Sequence, residues 1–215
     1  MKHILYLSYR CIAYSPLREA NLHWPKLVLQ KTILMIKNFD PWLTMSFPRS
    51  VGQIPVYYNH KNTGRPAAPG QTGRHYRSNY LDIVNEPLYA FGHGLSYTTF
   101  EISEPTLDRD TFSKGGRITV SARVSNTGGR DGEVVVQLYI RDMAASVTRP
   151  VKELKGFRKI ALRKGEVQTV TFEISEREIA FLNADFVRRP EAGEFRLWIA
   201  QSSDDDGRPA TFHYE

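Results

Sequence analysis

Residues 117–140 read RITVSARVSNTGGRDGEVVVQLYI, and they decide the fold. Ile118, Val120, Ala122 and Val124 alternate with Arg117, Thr119, Ser121 and Arg123. Side chains of a strand point to its two faces in turn, so this period of two marks a strand with one face buried and one wet. Asn126-Thr127-Gly128-Gly129 and Asp131-Gly132 then interrupt. They are expected to form a hairpin connection in which Gly128, Gly129 and Gly132 take positive φ. Val134 to Ile140 is apolar almost throughout, which predicts a central strand with little exposed face.

Further strands are read outward from that pair at Lys155–Leu162, Val167–Ile174 and Phe195–Ala200. Arg163-Lys164-Gly165 and Pro190-Glu191-Ala192-Gly193 separate them. Short strands between turn clusters, with no long helical period, predict an antiparallel β-sandwich over residues 98–215. Gly156, inside a strand-like run, predicts a bulge or a close contact with an aromatic such as Phe157 or Phe172.

Residues 44–97 differ in character. Thr44-Met45-Ser46-Phe47 reads as a short strand stopped by Pro48, and Ile54–Tyr58 as an extended piece with Pro55 at its start or edge. Asn59–Asn79 is crowded with Gly, Pro and Asn and predicts a long irregular loop. Gly92 and Gly94 let the backbone turn or approach another element before a strand near Tyr97. In residues 1–43, Leu27–Ile36 suits a short helix broken by Asn38 and Pro41. Ile4–Leu7 is too short for a secretory leader, because Ser8, Tyr9 and Arg10 interrupt it.

Composition narrows the classes. The 215 residues are 41% hydrophobic and 24% charged, an ordinary globular balance. A single cysteine, Cys11, excludes an intramolecular disulfide framework, and no apolar run reaches membrane-spanning length. The formal charge of +6 is uneven, with +7 in residues 1–100 and −1 in residues 101–215. The basic residues are scattered and no reader motif accompanies them, so neither nucleic acid nor membrane is an expected partner.

Three ordered motifs carry a family likeness. NTGGRDGEVVVQLYIRDMAASVTRPVKELKGFRKIALRKGE, Asn126 to Glu166, resembles the fibronectin type III-like domain of family 3 glycoside hydrolases. MSFPRSVGQIPVYYNHKNTGRP, Met45 to Pro66, resembles the end of those enzymes' α/β sandwich domain. NEPLYAFGHGLSYTTF, Asn85 to Phe100, is similar to the junction between the two. The resemblance implies a mainly β fold: an immunoglobulin-like (fibronectin type III-like) sandwich over 98–215, preceded by an irregular remnant of an α/β sandwich domain over 44–97. Residues 1–43 do not resemble the family and are expected to be a truncated, frameshifted or wrongly started reading frame, with a lineage-specific replacement as the alternative.

The same resemblance sets the chemistry. Retaining glycosidases use two carboxylates about 5–5.5 Å apart, and the family's nucleophile and acid/base both lie upstream of everything matched. No catalytic, cofactor-binding or metal-binding residue is therefore assigned. The expected role is a non-catalytic C-terminal part of a β-glucosidase-like hydrolase, scaffolding that enzyme's own barrel and α/β sandwich domains. The alternative is a free-standing carbohydrate- or protein-binding module. Intact members are often periplasmic or secreted, and the compartment of this chain stays open.

Other constellations were weighed against plain structural roles. Asp204-Asp205-Asp206 lacks the spacing of a calcium loop and reads as a solvated hairpin tip. His60, His75 and His93 fit no shared element and read as loop histidines. Ser96 lacks a nucleophile elbow, and Gly92-His93-Gly94 lacks the third glycine of a dinucleotide loop. Tyr57, Tyr58, Tyr76, Tyr80, Tyr89, Phe91 and Tyr97 crowd one stretch. Aromatic faces can stack on sugars, but packing is the weightier reading. Phe47, Ile54, Val56, Tyr57 and Tyr58 are expected to form an exposed patch, with Thr44–Phe47 unpaired on both edges, favouring self-association.

Overall fold

The structure, a computed structural model, describes residues 43–73 and 75–215. The expected helix at Leu27–Ile36, the apolar start of the chain and Cys11 lie outside the described residues. Among the described residues eleven strands follow one another: β1 (Phe100–Ile102), β2 (Thr106–Leu107), β3 (Thr111–Phe112), β4 (Arg117–Asn126), β5 (Gly132–Asp142), β6 (Glu153–Leu162), β7 (Val167–Ser175), β8 (Phe181–Leu182), β9 (Arg188–Arg189), β10 (Gly193–Ala200) and β11 (Ala210–Tyr214). A one-turn helix, Glu176–Ile179, sits between β7 and β8.

Two sheets face each other. In the first, β4 pairs with β7 from Arg117↔Ser175 to Ser125↔Val167, while β1 and β2 share its other edge. The second runs β3-β11-β10-β5-β6, antiparallel except for the β3–β11 pair. Ile118, Val120, Ala122 and Val124 of β4 are all buried and meet Val134, Val136, Leu138 and Ile140 of β5 in one core. Phe195 stacks on Phe212 with ring centroids 5.2 Å apart, and Tyr214 meets Phe112 edge-on. The alternation read in the sequence is therefore the inward face of a sandwich.

The NTGGRDG connection is not a hairpin. It carries the chain from β4 in one sheet to β5 in the other, so no positive-φ turn is required. The positive-φ glycines are Gly70, Gly73, Gly92, Gly115 and Gly165 instead. Gly128 and Gly132 are needed for close approach, because a Cβ there would lie 2.1 Å and 2.5 Å from the Thr98 side chain. Asn126, almost fully buried, organises the crossing. Its carboxamide accepts from Thr98 Oγ1 and Gly128 N and donates to the carbonyls of Arg130 and Leu162.

Gly156 behaves as expected. The β5–β6 register shifts between Leu138 and Tyr139, which pair with Gly156 and Leu154 and leave Lys155 as the extra residue of a bulge. A Cβ on Gly156 would come within 3.2 Å of Phe172 Cδ1. Phe172 is thus the facing aromatic, while Phe157 points outward and is exposed.

Residues 43–93 do not form an unpaired arm. Phe47 bridges Tyr89, Leu43 N donates to His93 O, and Gly92 N donates to Leu43 O. Gln53, almost fully buried in a short 3-10 turn at Val51–Gln53, donates to the carbonyls of Val84, Asn85 and Glu86 and accepts from Arg49 N. The segment Thr44–Phe47 thus has a neighbour, contrary to the expectation from sequence. The strand expected near Tyr97 begins at Phe100, because Ser96 Oγ accepts from Thr98 N and turns the chain first.

Gly156→Val is expected to cost about 1–3 kcal/mol by forcing Phe172 from its place, whereas Gly129→Ala, which meets nothing within 4 Å, should be neutral. Urea midpoints of the two variants check this; equal midpoints would contradict the close packing described here.

Candidate functional site

β5 is covered twice. Its even-numbered residues Val134–Ile140 face the core, while Gln137 and Tyr139, on the opposite face, are 3% and 0% exposed. An outward face of a two-sheet sandwich is ordinarily wet. Here Tyr58, Phe91 and Gly92 lie over it. Tyr58 stacks on Phe91 with centroids 4.5 Å apart and meets Tyr139 edge-on at 5.8 Å. Its hydroxyl accepts from Leu154 N. His60 O accepts from Val151 N, and Lys61 bridges Pro150.

Gly92 is the tightest point of this contact. Its φ is +79°, and a Cβ would lie 2.3 Å from Gln137 Oε1. Gln137 Nε2 donates to Gly92 O and to Gln201 O, and its Oε1 accepts from the Tyr139 hydroxyl at 2.6 Å. Every polar atom of that buried carboxamide side chain is therefore matched, as burial requires.

The β10–β11 hairpin closes the site. Lys152, only 6% exposed, donates from Nζ to Ser203 O, Asp205 O and Asp206 Oδ1 at 2.9–3.2 Å. The same ammonium stands 4.9 Å from the Trp198 ring centre and 5.6 Å from that of Tyr139. Ser203 N donates to Phe91 O, and Gln201 Nε2 to Phe100 O. The Asp204–Asp206 run does lie in a hairpin connection, but it is more than a solvated tip. Asp205 accepts from Gln201 N and Gly207 N, and Asp206 neutralises Lys152.

The sequence-named residues divide accordingly. Tyr58, Tyr89 and Phe91 are partly buried in the contact, so Tyr58 leaves the exposed patch expected of it. Tyr57, Tyr76, Tyr80 and Tyr97 stay exposed, as does Ile54, whereas Phe47 and Val56 are partly buried, contrary to the exposed patch expected of them. His60 faces the Lys61 carbonyl, His75 lies beside Tyr76, and His93 beside Tyr89. Among the described residues no group of three or more His, Cys, Asp or Glu is placed to hold a metal ion. Lys152, Gln137 and Gln53 were not legible in the sequence, because each is buried by contacts from distant residues.

An open groove of about 870 Å³ runs along Asp131–Glu133 and Ala161–Glu166. Its carboxylates are already engaged: Asp131 accepts from Lys164 N, Glu166 from Arg163 N, and Glu133 pairs with Lys159. A smaller recess of about 220 Å³ is lined by Ser96, Thr98, Glu133 and Gln201, among others. Glu133, already paired with Lys159, is the carboxylate common to both.

Residues 134–203 match the fibronectin type III-like domain. A periplasmic β-glucosidase of Salmonella typhimurium is 50% identical over 161 residues, covering 75% of this chain and 21% of its own length. A β-xylosidase of Formosa agariphila is 45% identical over 164 residues, 76% of this chain and 22% of its own. The chain belongs with the C-terminal, fibronectin type III-like region of family 3 β-glucosidases. The β-glucosidase of Listeria innocua, solved with glucose, superposes with a TM-score of 0.75 at 43% identity, over 80% of this chain and 24% of its own. That coverage exceeds what the β-strands from Phe100 onward supply, so part of the segment before β1 is shared with that β-glucosidase too. The chain spans about a fifth to a quarter of the length of these relatives.

Two expectations follow from the site. Gly92→Ala and Tyr58→Ala should each open the contact and speed protease cleavage within residues 59–79 at least about tenfold, as expected for a loss of about 1.4 kcal/mol or more. Cleavage rates equal to the parent's would show that the segment is held elsewhere.

Alkaline pH should loosen the fold. Burial pushes the Tyr139 phenol far up, with the neighbouring Tyr58 and Asp204 adding to it. The Glu176 carboxylate, accepting from the Tyr214 hydroxyl at 2.6 Å, pushes that phenol up to about 12. A free phenol ionises near pH 10. The unfolded chain therefore releases these protons first, and their stabilisation, complete below about pH 10, declines as pH rises toward 12. The urea midpoint should fall between pH 9.5 and 11.5 and fall less in Tyr214→Phe; identical slopes would contradict the assignment.

Proposed function

We propose that this chain serves as a non-catalytic scaffold within a family 3 hydrolase acting on terminal β-linked sugars. Residues 44–97 are read as the end of its α/β sandwich domain and 98–215 as its fibronectin type III-like sandwich. The observation that carries this is the fully matched contact of Tyr58, Phe91 and Gly92 on Gln137 and Tyr139. Through it the sandwich fixes the segment that leads back toward the remaining domains. The catalytic carboxylates belong to those domains, and the region's part is to hold their arrangement.

The engaged carboxylates of both grooves support the same reading. Four exposed tyrosines, Tyr57, Tyr76, Tyr80 and Tyr97, favour a second one, a sugar-binding surface. Calorimetric titration with cello- and xylo-oligosaccharides separates the two, and the scaffold reading expects no saturable heat.

The purified chain should cleave an aryl β-glucoside no faster than the uncatalysed rate. A chimera of the Salmonella β-glucosidase, with residues 44–215 in place of its matching segment, should be soluble and active. An insoluble or inactive chimera, or turnover by the chain alone, would overturn the scaffold.

A further inference from the structure

The β8–β9 hairpin presents an aromatic ring to solvent on a strained backbone. Phe186 has φ +60° and is 82% exposed, and Leu182 and Val187 beside it are 55% and 51% exposed. Bulky residues avoid positive φ, and the surroundings must impose it. Asn183 does so. It is 6% exposed, its Oδ1 accepts from Asp185 N and Val187 N, and its carbonyl accepts from Phe186 N. The hairpin's root is equally fixed, for Phe181 is buried and carries the Arg149 guanidinium 4.3 Å above its ring. A rigid root and an ordered turn thus hold Phe186 where burial within this chain gives it nothing. Arg188 is exposed and has no ion-pair partner among the described residues, whereas Arg189 lies 4.0 Å from Asp185.

We propose that this hairpin is a docking finger, inserting Phe186 into an apolar pocket rimmed by carboxylates on the remaining domains of a family 3 hydrolase. The inference rests on the scaffold reading above. Area selects this occupant. Three apolar side chains expose a few hundred Å² at most. A stable contact between separate molecules buries about 1,200–2,000 Å², so the finger is too small to hold a second copy. A domain tethered to the same polypeptide is present at about millimolar effective concentration, and a small contact then suffices. A lipid surface is recognised by clusters of about four to eight basic residues, and the finger offers Arg188 and Arg189, one of them turned to Asp185. The unpaired Arg188 sets the sign of the pocket's rim.

The test compares the full chain with the chimera carrying residues 44–215. Phe186→Asn removes the ring and tolerates positive φ better. It should leave the urea midpoint of the full chain unchanged or raised, yet speed thermal inactivation of the chimera at least about threefold. Arg188→Glu should do the same to the chimera and nothing to the full chain. Equal loss of stability in both settings would make Phe186 a local structural residue and overturn docking. An active chimera indifferent to both substitutions would overturn the finger alone. Dimerisation of the full chain that Phe186→Asn abolishes, or its sedimentation with phosphatidylserine vesicles, would assign the finger to a second copy or to lipid instead. An inactive unsubstituted chimera would take the scaffold and the finger down together.

Discussion

Burial of β5 on both faces is the constraint on which the rest depends. One face closes the sandwich core through Val134, Val136, Leu138 and Ile140. The other would leave Gln137 and Tyr139 to water were Tyr58, Phe91 and Gly92 not laid over them. Burying a carboxamide and a phenol is tolerable only when both are hydrogen-bonded. The Gln137–Tyr139 pair meets that condition by using the Gly92 and Gln201 carbonyls. Segment, strand and hairpin are therefore interdependent: each supplies a partner that another needs.

That interdependence explains the distribution of charge. Asp131 and Glu166 cap turn amides, while Asp206, Glu153 and Glu133 pair with Lys152, Arg149, Lys155 and Lys159. Arg149 and Lys155 both reach the Glu153 carboxylate at 2.7 Å and 3.2 Å, which ties the β5–β6 connection down beside the site. Burial raises the Asp142 carboxyl, against the pull of the Ala144 amide and Arg149. Glu191 is held low by the hydroxyl and amide of Ser146. These are the tasks of a folded support.

The strands were legible because period two depends only on which face is buried. Ile118–Val124 shows it plainly, and the bulge at Gly156 announced itself as a glycine inside a strand-like run. The apolar Val134–Ile140 was legible as a central strand, yet its cause was not: the second cover comes from residues more than forty positions upstream. Long sequence separation also hid Lys152, whose partners lie beyond residue 200, and Gln53, whose partners are Val84 to Glu86. The misreading of NTGGRDG had a local origin. A glycine cluster signals a tight backbone, but tight turns and close approach leave the same trace, and only the Thr98 side chain separates them.

Native-state hydrogen exchange measures the central claim most directly. The amides of Phe47 and Gly92, bonded to Tyr89 O and Leu43 O, should open with the same free energy as the amides of Gln137 and Tyr139 in β5, as one cooperative unit. Exchange at Phe47 and Gly92 faster by orders of magnitude, with β5 still protected, would mean that the upstream segment is a loose attachment and that β5 does not depend on it.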